Sequence, residues 1–447
     1  MHCPAVRLVV LNFNGGDLVL RCVESLESLD WPRDRLDLVV VDNASSDGSD
    51  RDIEEHFPAV RVIRSDSNLG FPANNLGLRD LLGIDYVGLV NNDAFVEPGW
   101  LRALVLELEL DPKVGAACPK IIFATQFVDL VITSPPWRAP GDGRDLGVRM
   151  SGLELDGVDV FPQAGFASGC HALEHGTSEE PAFRWLAGRA VVRLPVAPGA
   201  ASPRVASVRL ANRHAVEAVL LAGGASTSAD VGTAPAWYDV EVAGQPYDVI
   251  NNVGSELVAG GWGADRGFLE RDVAQYEEPQ DVFAWCGAGV LFRPGYLQDV
   301  GLFDERFFMY YEDTDLAWRG RARGWRYRYT PDAVMRHVHA ATSVEGSSMF
   351  QHYVERNRLV MLAKNAPRSM VRRAILRFLS ATVSYAVRDV ARPVLRGHRP
   401  ALGLVVARVK SFVAFLRMYP QLLRDRRSLR ARQLVPDRSI TGWAVHR

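Results

Sequence analysis

Leu36-Asp37-Leu38-Val39-Val40-Val41-Asp42-Asn43 is a short apolar run that stops abruptly at an acid and an amide. A run of this length, bounded by polar turn residues, reads as a buried strand over 36–41. The same form recurs on either side of it. Residues 6–11 precede it and end at Asn12 and Asn14; residues 60–64 and 86–90 follow it, the last ending at Asn91-Asn92-Asp93. Helical spacing fills the gaps at 18–29, 49–56 and 74–82, and a further helix is expected at 98–110 with Pro98 in its first turn. Alternation of this kind predicts a parallel sheet with helices on both faces.

The pattern changes near residue 127. From there to 248 the chain is rich in Gly, Pro and Ser, with short Val/Leu runs about a dozen residues apart. That spacing predicts an inserted β-sandwich. The α/β character returns at 282–292, a helix is expected at 311–322, and 370–434 reads as helices with apolar and arginine-bearing faces. The expected divisions are 1–126, 127–248 for the inserted all-β domain, 249–365, and a basic helical tail over 366–447.

The chain has 447 residues, 48% apolar and 23% charged, which is enough to bury a sizeable core unaided. Its five cysteines match neither a disulfide framework nor a CxxC metal site, and point to a reducing, cytoplasmic setting. Neither a signal peptide nor an apolar stretch long enough to span a bilayer is read in it. The net charge of −2 conceals an asymmetry. Residues 366–447 hold 18 basic side chains against Asp389, Asp425 and Asp437, so residues 1–365 carry −17. A basic tail on an acidic body suggests an anionic surface as its partner, with no motif for nucleic acid.

Ligands of open parallel sheets bind beyond the carboxyl ends of the strands. Three polar clusters fall there: Asn12 with Asn14, Asp42 with Asn43, and Asn91-Asn92-Asp93. Ordinary turn chemistry is the plain reading. The functional one gives Asp42 to a pyrimidine N3–H and Asp93 to a hard divalent cation, Mn2+ or Mg2+. No GxGxxG or GxxxxGK[ST] loop follows the first strand, which removes the usual dinucleotide and P-loop readings. In Trp285-Cys286-Gly287-Ala288-Gly289 the tryptophan could stack on a sugar and the glycines admit a ligand; a tight strand entry explains them equally. Glu312 and Asp313 open a helix, where acids suit the dipole, or one of them is a general base. His337 is a polar turn residue or completes a metal site with Asp93.

Together these segments resemble the family 2 glycosyltransferases with the GT-A fold, especially the bacterial rhamnosyltransferase-like and galactofuranosyltransferase-like branch. The resemblance rests on Val9-Val10-Leu11-Asn12-Phe13-Asn14, on 40–49 around Asp42, on 68–75 ending at Asn75, and on Leu89-Val90-Asn91-Asn92-Asp93. It continues through Gly287–Arg293, 301–308, Tyr311-Glu312-Asp313-Thr314-Asp315-Leu316 and Arg336-His337, over roughly 1–125 and 249–365. It implies a GT-A core, a Rossmann-like mixed sheet with helices on both faces. It implies Asn12, Asn14, Asp42, Asn43, Asn75 and Asn92 in the donor pocket, Asp93 and His337 as metal ligands, and Asp313 as catalytic base with Glu312 beside it. Trp285 and Gly287 fall to the acceptor side. Asn91 stands where some members carry the first acid of the metal motif, and Arg356-Asn357 matches a recurring pair whose role is open.

The function so implied is inverting, metal-dependent transfer of a hexose from a nucleotide diphosphate donor to a cell-envelope glycan, polysaccharide or lipid-linked acceptor. The tail then suggests peripheral contact at the inner face of the plasma membrane, and a homo-oligomer is possible. The alternative is a non-catalytic carbohydrate-binding or scaffold protein on a degenerate core. That reading expects loss of Asp93, Asp313 or His337, and all three are present.

Overall fold

The computed structural model describes residues 3–139, 143–174, 182–199, 204–338, 348–397 and 399–446. They form two compact units: 3–124, 250–268 and 274–446 in the first, 125–249 and 269–273 in the second.

The first unit opens with Val6–Asn12 (β1), Gly16–Glu27 (α1), Leu36–Asp42 (β2), Ser49–His56 (α2), Arg61–Arg64 (β3), Tyr86–Asn91 (β4), Ala94–Val96 (β5), Trp100–Glu109 (α3) and Val114–Phe123 (β6). Both sheet faces are covered, so the strands are apolar throughout rather than alternating with polar residues. Along β1, Val9 enters one core while Leu8 and Val10 enter the other; Val39 and Val41 against Leu38 and Val40 repeat this on β2. From edge to edge the order is Gln280–Asp281, Arg326–His337, β6, Gly289–Phe292, β4, β1, β2 and β3. β4, β1, β2 and β3 run parallel, whereas Gly289–Phe292 enters antiparallel between β4 and β6 and makes the sheet mixed.

Three sequence expectations change here. Residues 74–82 are not an α-helix. A 3-10 turn over Phe71–Leu76 takes their place, because the Asn74 side-chain amide donates to the Phe71 carbonyl at 2.9 Å and competes with an α-helical ladder. Gly77 then lies so close to β1 that a Cβ there would meet Val9 at 2.5 Å. Pro98 stands outside α3, whose N-cap is Gly99. The strand-like run that the sequence shows over 325–330 does not end at Pro331 but continues to His337, with its register shifted between Thr330 and Val334.

The second unit is all β, as the insertion's composition suggested. Among its described residues nine strands are hydrogen-bonded into one antiparallel sheet. The two ends of that sheet, Ala225–Val231 and Ala236–Val242, are consecutive in the chain, and Ala243 N–H donates to the Ala222 carbonyl at 3.3 Å. The sheet therefore curls over on itself. The two layers expected of a sandwich are halves of one sheet around one core, to which Leu130, Leu186, Val208, Leu220 and Val240 contribute.

The remainder of the first unit holds the hairpin Ser255–Val258 and Trp262–Asp265, then Pro294–Val300 (α4), Glu312–Arg323 (α5), Ser348–Asn365 (α6), Arg368–Ala386 (α7), Arg392–Leu395 (α8), Gly403–Arg432 (α9) and Asp437–Thr441 (α10). A buried ionic network joins α5, α6 and α9 to the 304–306 turn. Lys364 Nζ donates to Asp304 at 2.6 Å and to Asp315 at 2.9 Å; Arg319 also reaches Asp315 at 3.0 Å, and Arg306 links Asp304 to Asp425. All five cysteines are free. Among the described residues no helix is long and apolar enough to cross a membrane.

Candidate active site

Parallel register sets Asn12 opposite Asp42 and Leu11 opposite Asn91, so the polar ends of β1, β2 and β4 converge on one edge. Asn12 is fully buried at their centre. Its amide nitrogen donates to Asp42 at 3.1 Å and to Ser49 at 2.9 Å, and its oxygen accepts from Asn92 at 3.3 Å. Asp42 spends its second oxygen on the Ser45 N–H, and exposed Asn14 accepts from the Ser46 N–H at 2.8 Å. These residues are brought together as one network that shapes the 42–49 turn.

Asn43 and Asn75 are placed differently. The Asn43 side chain bonds Asn68, Gly70 and the Leu69 N–H, which uses its whole amide on the 68–70 loop. Asn75 exchanges two hydrogen bonds with the Phe303 backbone and ties the 3-10 turn to the 303 segment. Both side chains brace the fold, since their amide groups are engaged internally.

Asp93 and His337 lie 244 positions apart in sequence, yet His337 Nε2 stands 3.1 Å from an Asp93 carboxylate oxygen. β5 causes this: its first residue, Ala94, pairs with His337, and Val338 N–H donates to the Asp93 carbonyl. On the other side of the ring, Nδ1 is 3.2 Å from the Asn251 side-chain oxygen. An imidazole that donates from Nδ1 turns an acceptor nitrogen toward Asp93, the tautomer a metal ligand needs with an outer partner to fix it. A carboxylate and an imidazole facing each other at this distance suit a divalent cation. Among the described residues no third His, Cys or acid joins them.

Asp313 is presented by a strained loop. Phe308, Tyr310 and Tyr311 all have φ near +65 to +70°, which side chains rarely adopt. The Arg356-Asn357 pair holds them there. Asn357 Nδ2 lies 2.7–2.9 Å from the carbonyls of Phe307, Met309 and Tyr310, and Arg356 donates to those of Arg306 and Phe307. The Phe308 carbonyl also accepts from the Phe71 N–H at 2.6 Å, so the loop braced by Asn43 presses on it. Asn357→Ala should therefore lower stability by about 1–3 kcal/mol through orphaned carbonyls, read by thermal denaturation. It should also reduce kcat more than it raises KM; an unchanged kcat would separate the clamp from the site.

Asp313 itself is half-buried, and burial pushes its carboxyl up to about 6, opposed by the Thr314 N–H and hydroxyl and by the Gly287 N–H, and assisted by Asp265. Glu312 beside it is buried, one carboxyl oxygen has no partner, and burial with the Asp313 charge pushes it well up. Burial thus pushes up both of two adjacent carboxyls, a perturbation that is common at acid–base sites.

Trp285 is not available to a sugar. It is fully buried, with Phe292 and Phe303 edge-on to it at 4.8 and 6.0 Å between centroids. Gly287 is a close approach within the protein, where a Cβ would strike the Phe71 ring at 2.6 Å. Its backbone faces Asp313 rather than open solvent.

Residues 8–149 match the model of Glycosyl transferase family 2, and residues 239–394 match that of Glycosyl transferase family group 2. Two segments of the chain are thus similar to glycosyltransferase family models. With its mixed sheet the first unit has the GT-A fold. No curated protein matches the chain. Among solved structures, GalNAc-T7 with UDP, GalNAc and Mn2+ aligns at 12% identity over 81% of this chain and 48% of its own, with a TM-score of 0.45. The mannosyltransferase PcManGT from Pyrobaculum calidifontis, in complex with GDP-Man and Mn2+, aligns at 14% identity over 99% of this chain and 79% of its own, with a TM-score of 0.40. The chain thus spans about half the length of the first. The sequence reading of the core missed Asn251, Asp265 and the bracing role of Asn357. Of these only the Arg356-Asn357 pair carried a local signal.

Proposed function

We propose that the chain is an inverting, metal-dependent glycosyltransferase that moves a sugar from a nucleotide diphosphate donor, dTDP-rhamnose or a UDP-sugar, to a cell-envelope glycan, polysaccharide or lipid-linked acceptor. The meeting of Asp93 and His337 at the carboxyl edge of the sheet carries this reading. The two matched family segments and the raised Asp313 carboxyl support it.

The nucleotide lies at the ends of β1 and β2, where Asn12 holds Asp42 in place for the base and Asn14 fixes the 45–46 turn. Asp93 and His337 would hold Mn2+ or Mg2+, which supplies charge neutralisation for the departing diphosphate. Asp313 takes the proton of an acceptor hydroxyl. That oxygen forms a bond to the anomeric carbon from the face opposite the diphosphate, whose own bond to the carbon breaks, and the configuration inverts. Glu312 lies buried beside it, its carboxyl pushed up by burial and by the Asp313 charge. Peripheral contact of the basic tail with the inner face of the plasma membrane belongs to the same proposal.

Thermal shift with UDP, dTDP, GDP and CDP, each with and without Mn2+, tests it. A ligand at about 100 times its Kd adds about 2.7 kcal/mol to apparent stability. The expected result is a Mn2+-dependent rise with UDP or dTDP that Asp93→Ala removes. Nucleotide shifts that ignore both the cation and Asp93→Ala would refute the metal assignment, and no shift with any nucleotide would refute the donor site.

A further inference from the structure

Within α9, Leu402 at the N-cap, then Val406, Val409, Val413 and Leu416, recur at intervals of four and three, and Leu423 follows seven residues on, beyond Pro420. Each is 39–51% exposed. The opposite side of the same helix, at Arg408, Ser411, Phe415 and Leu422, is buried. α7 repeats the arrangement: Val371, Ala374 and Phe378 face inward, while Leu376, Leu379 and Val383 are exposed. The helices are neighbours, with Phe378 stacked on Phe412 at 5.5 Å. Of the 27 large apolar side chains that are exposed among the described residues, 12 fall between 376 and 423, so these are not scattered surface residues.

Charge decides what covers this face. Exposed Lys410, Arg417 and Arg424 form a row along the α9 stripe, and exposed Arg372, Arg373 and Arg377 lie on α7. The three acids of the tail are already engaged: Asp389 with Arg388, Asp425 with Arg306, Asp437 with Arg430. A second copy packed along the stripe would find Val405, Lys410, Phe412, Arg417, Tyr419 and Arg424 at the flanking positions, with no acid to meet the bases. An anionic bilayer satisfies both halves of the face, with phosphates for the bases and acyl chains for the aliphatic stripe.

We propose that the outward faces of α7 and α9 are a docking surface for an anionic lipid bilayer. This surface rests on and deepens the membrane contact included in the proposed function, and because binding needs no transfer step the test needs no substrate and its failure leaves the transfer reading standing. The full chain is co-sedimented with vesicles of phosphatidylcholine, with and without phosphatidylglycerol. Binding is expected only to the anionic vesicles. Lys410→Gln with Arg417→Gln should weaken it about tenfold or more, from roughly 1 kcal/mol per basic residue. Val409→Glu with Val413→Glu should abolish it at unchanged thermal stability, since both sites are exposed. Absence of binding, or equal binding by the valine double variant, would overturn the proposal. So would a wild-type dimer that this variant converts to monomer without any vesicle binding, which would assign the face to a second copy.

Discussion

Asp313→Asn is expected to lower kcat by about 10²–10⁴-fold, the usual contribution of a positioned general base, while donor-nucleotide binding is retained. The amide keeps the shape and the Thr314 hydrogen bonds but cannot accept a proton. The pH profile of the wild type adds an independent readout. With the carboxyl at about 6, kcat/KM should fall below pH 6 as Asp313 becomes protonated. Stability moves the other way. The folded-state value lies above the unfolded value of about 3.9, so the native state binds more protons between those limits and stability declines as pH rises through them. Asp313→Asn should remove that decline and raise the melting temperature above pH 6. A variant that turned over at the wild-type rate would remove Asp313 from the chemistry. An inactive variant with no gain in stability would argue that its carboxyl is not held up by burial.

Lys364→Met is expected to destabilise the first unit by about 3 kcal/mol or more, the typical cost of removing one partner from a buried ionic cluster. Lys364 is 4% exposed and neutralises two carboxylates, Asp304 and fully buried Asp315. Arg306 and Lys364 hold the Asp304 carboxyl far below the usual range against its burial. Its contribution is therefore complete above the unfolded value of about 3.9 and is lost as pH falls toward the folded one. Chemical denaturation at pH 7 and at about pH 3 reads both effects. The variant should lose stability at pH 7 and show a smaller further loss on acidification than the wild type. Asp425 also belongs to the cluster through Arg306, so hydrogen exchange in α9 should rise. A loss below about 1 kcal/mol would show that Arg306 and Arg319 suffice without the lysine.

The local pattern of the sequence determined the parallel half of the sheet. The runs at β1, β2 and β4 are apolar on both faces and end in amides and acids, and the hydrogen-bonded register alone then requires Asn12, Asp42 and Asn92 to meet. The change of composition near residue 127 likewise announced an all-β insertion, because strand and turn signals are local. Tertiary structure decided everything that depends on partners distant in the chain. Trp285 has the same side chain whether it stacks on a sugar or fills a core, and only the Phe292 and Phe303 rings around it settle that it is core. The partners of the Asn43 and Asn75 amides, at Leu69 and Phe303, are likewise set only by folding. His337 meets Asp93 because a strand continues past Pro331 and pairs with β5, a register no local propensity encodes. The Arg356-Asn357 pair was visible as a motif, but its purpose resides in the carbonyls of a loop some 50 residues earlier, which three left-handed residues turn toward it. Local sequence specifies which backbone an element prefers; the free energy that fixes a side chain's role comes from the groups that folding places around it.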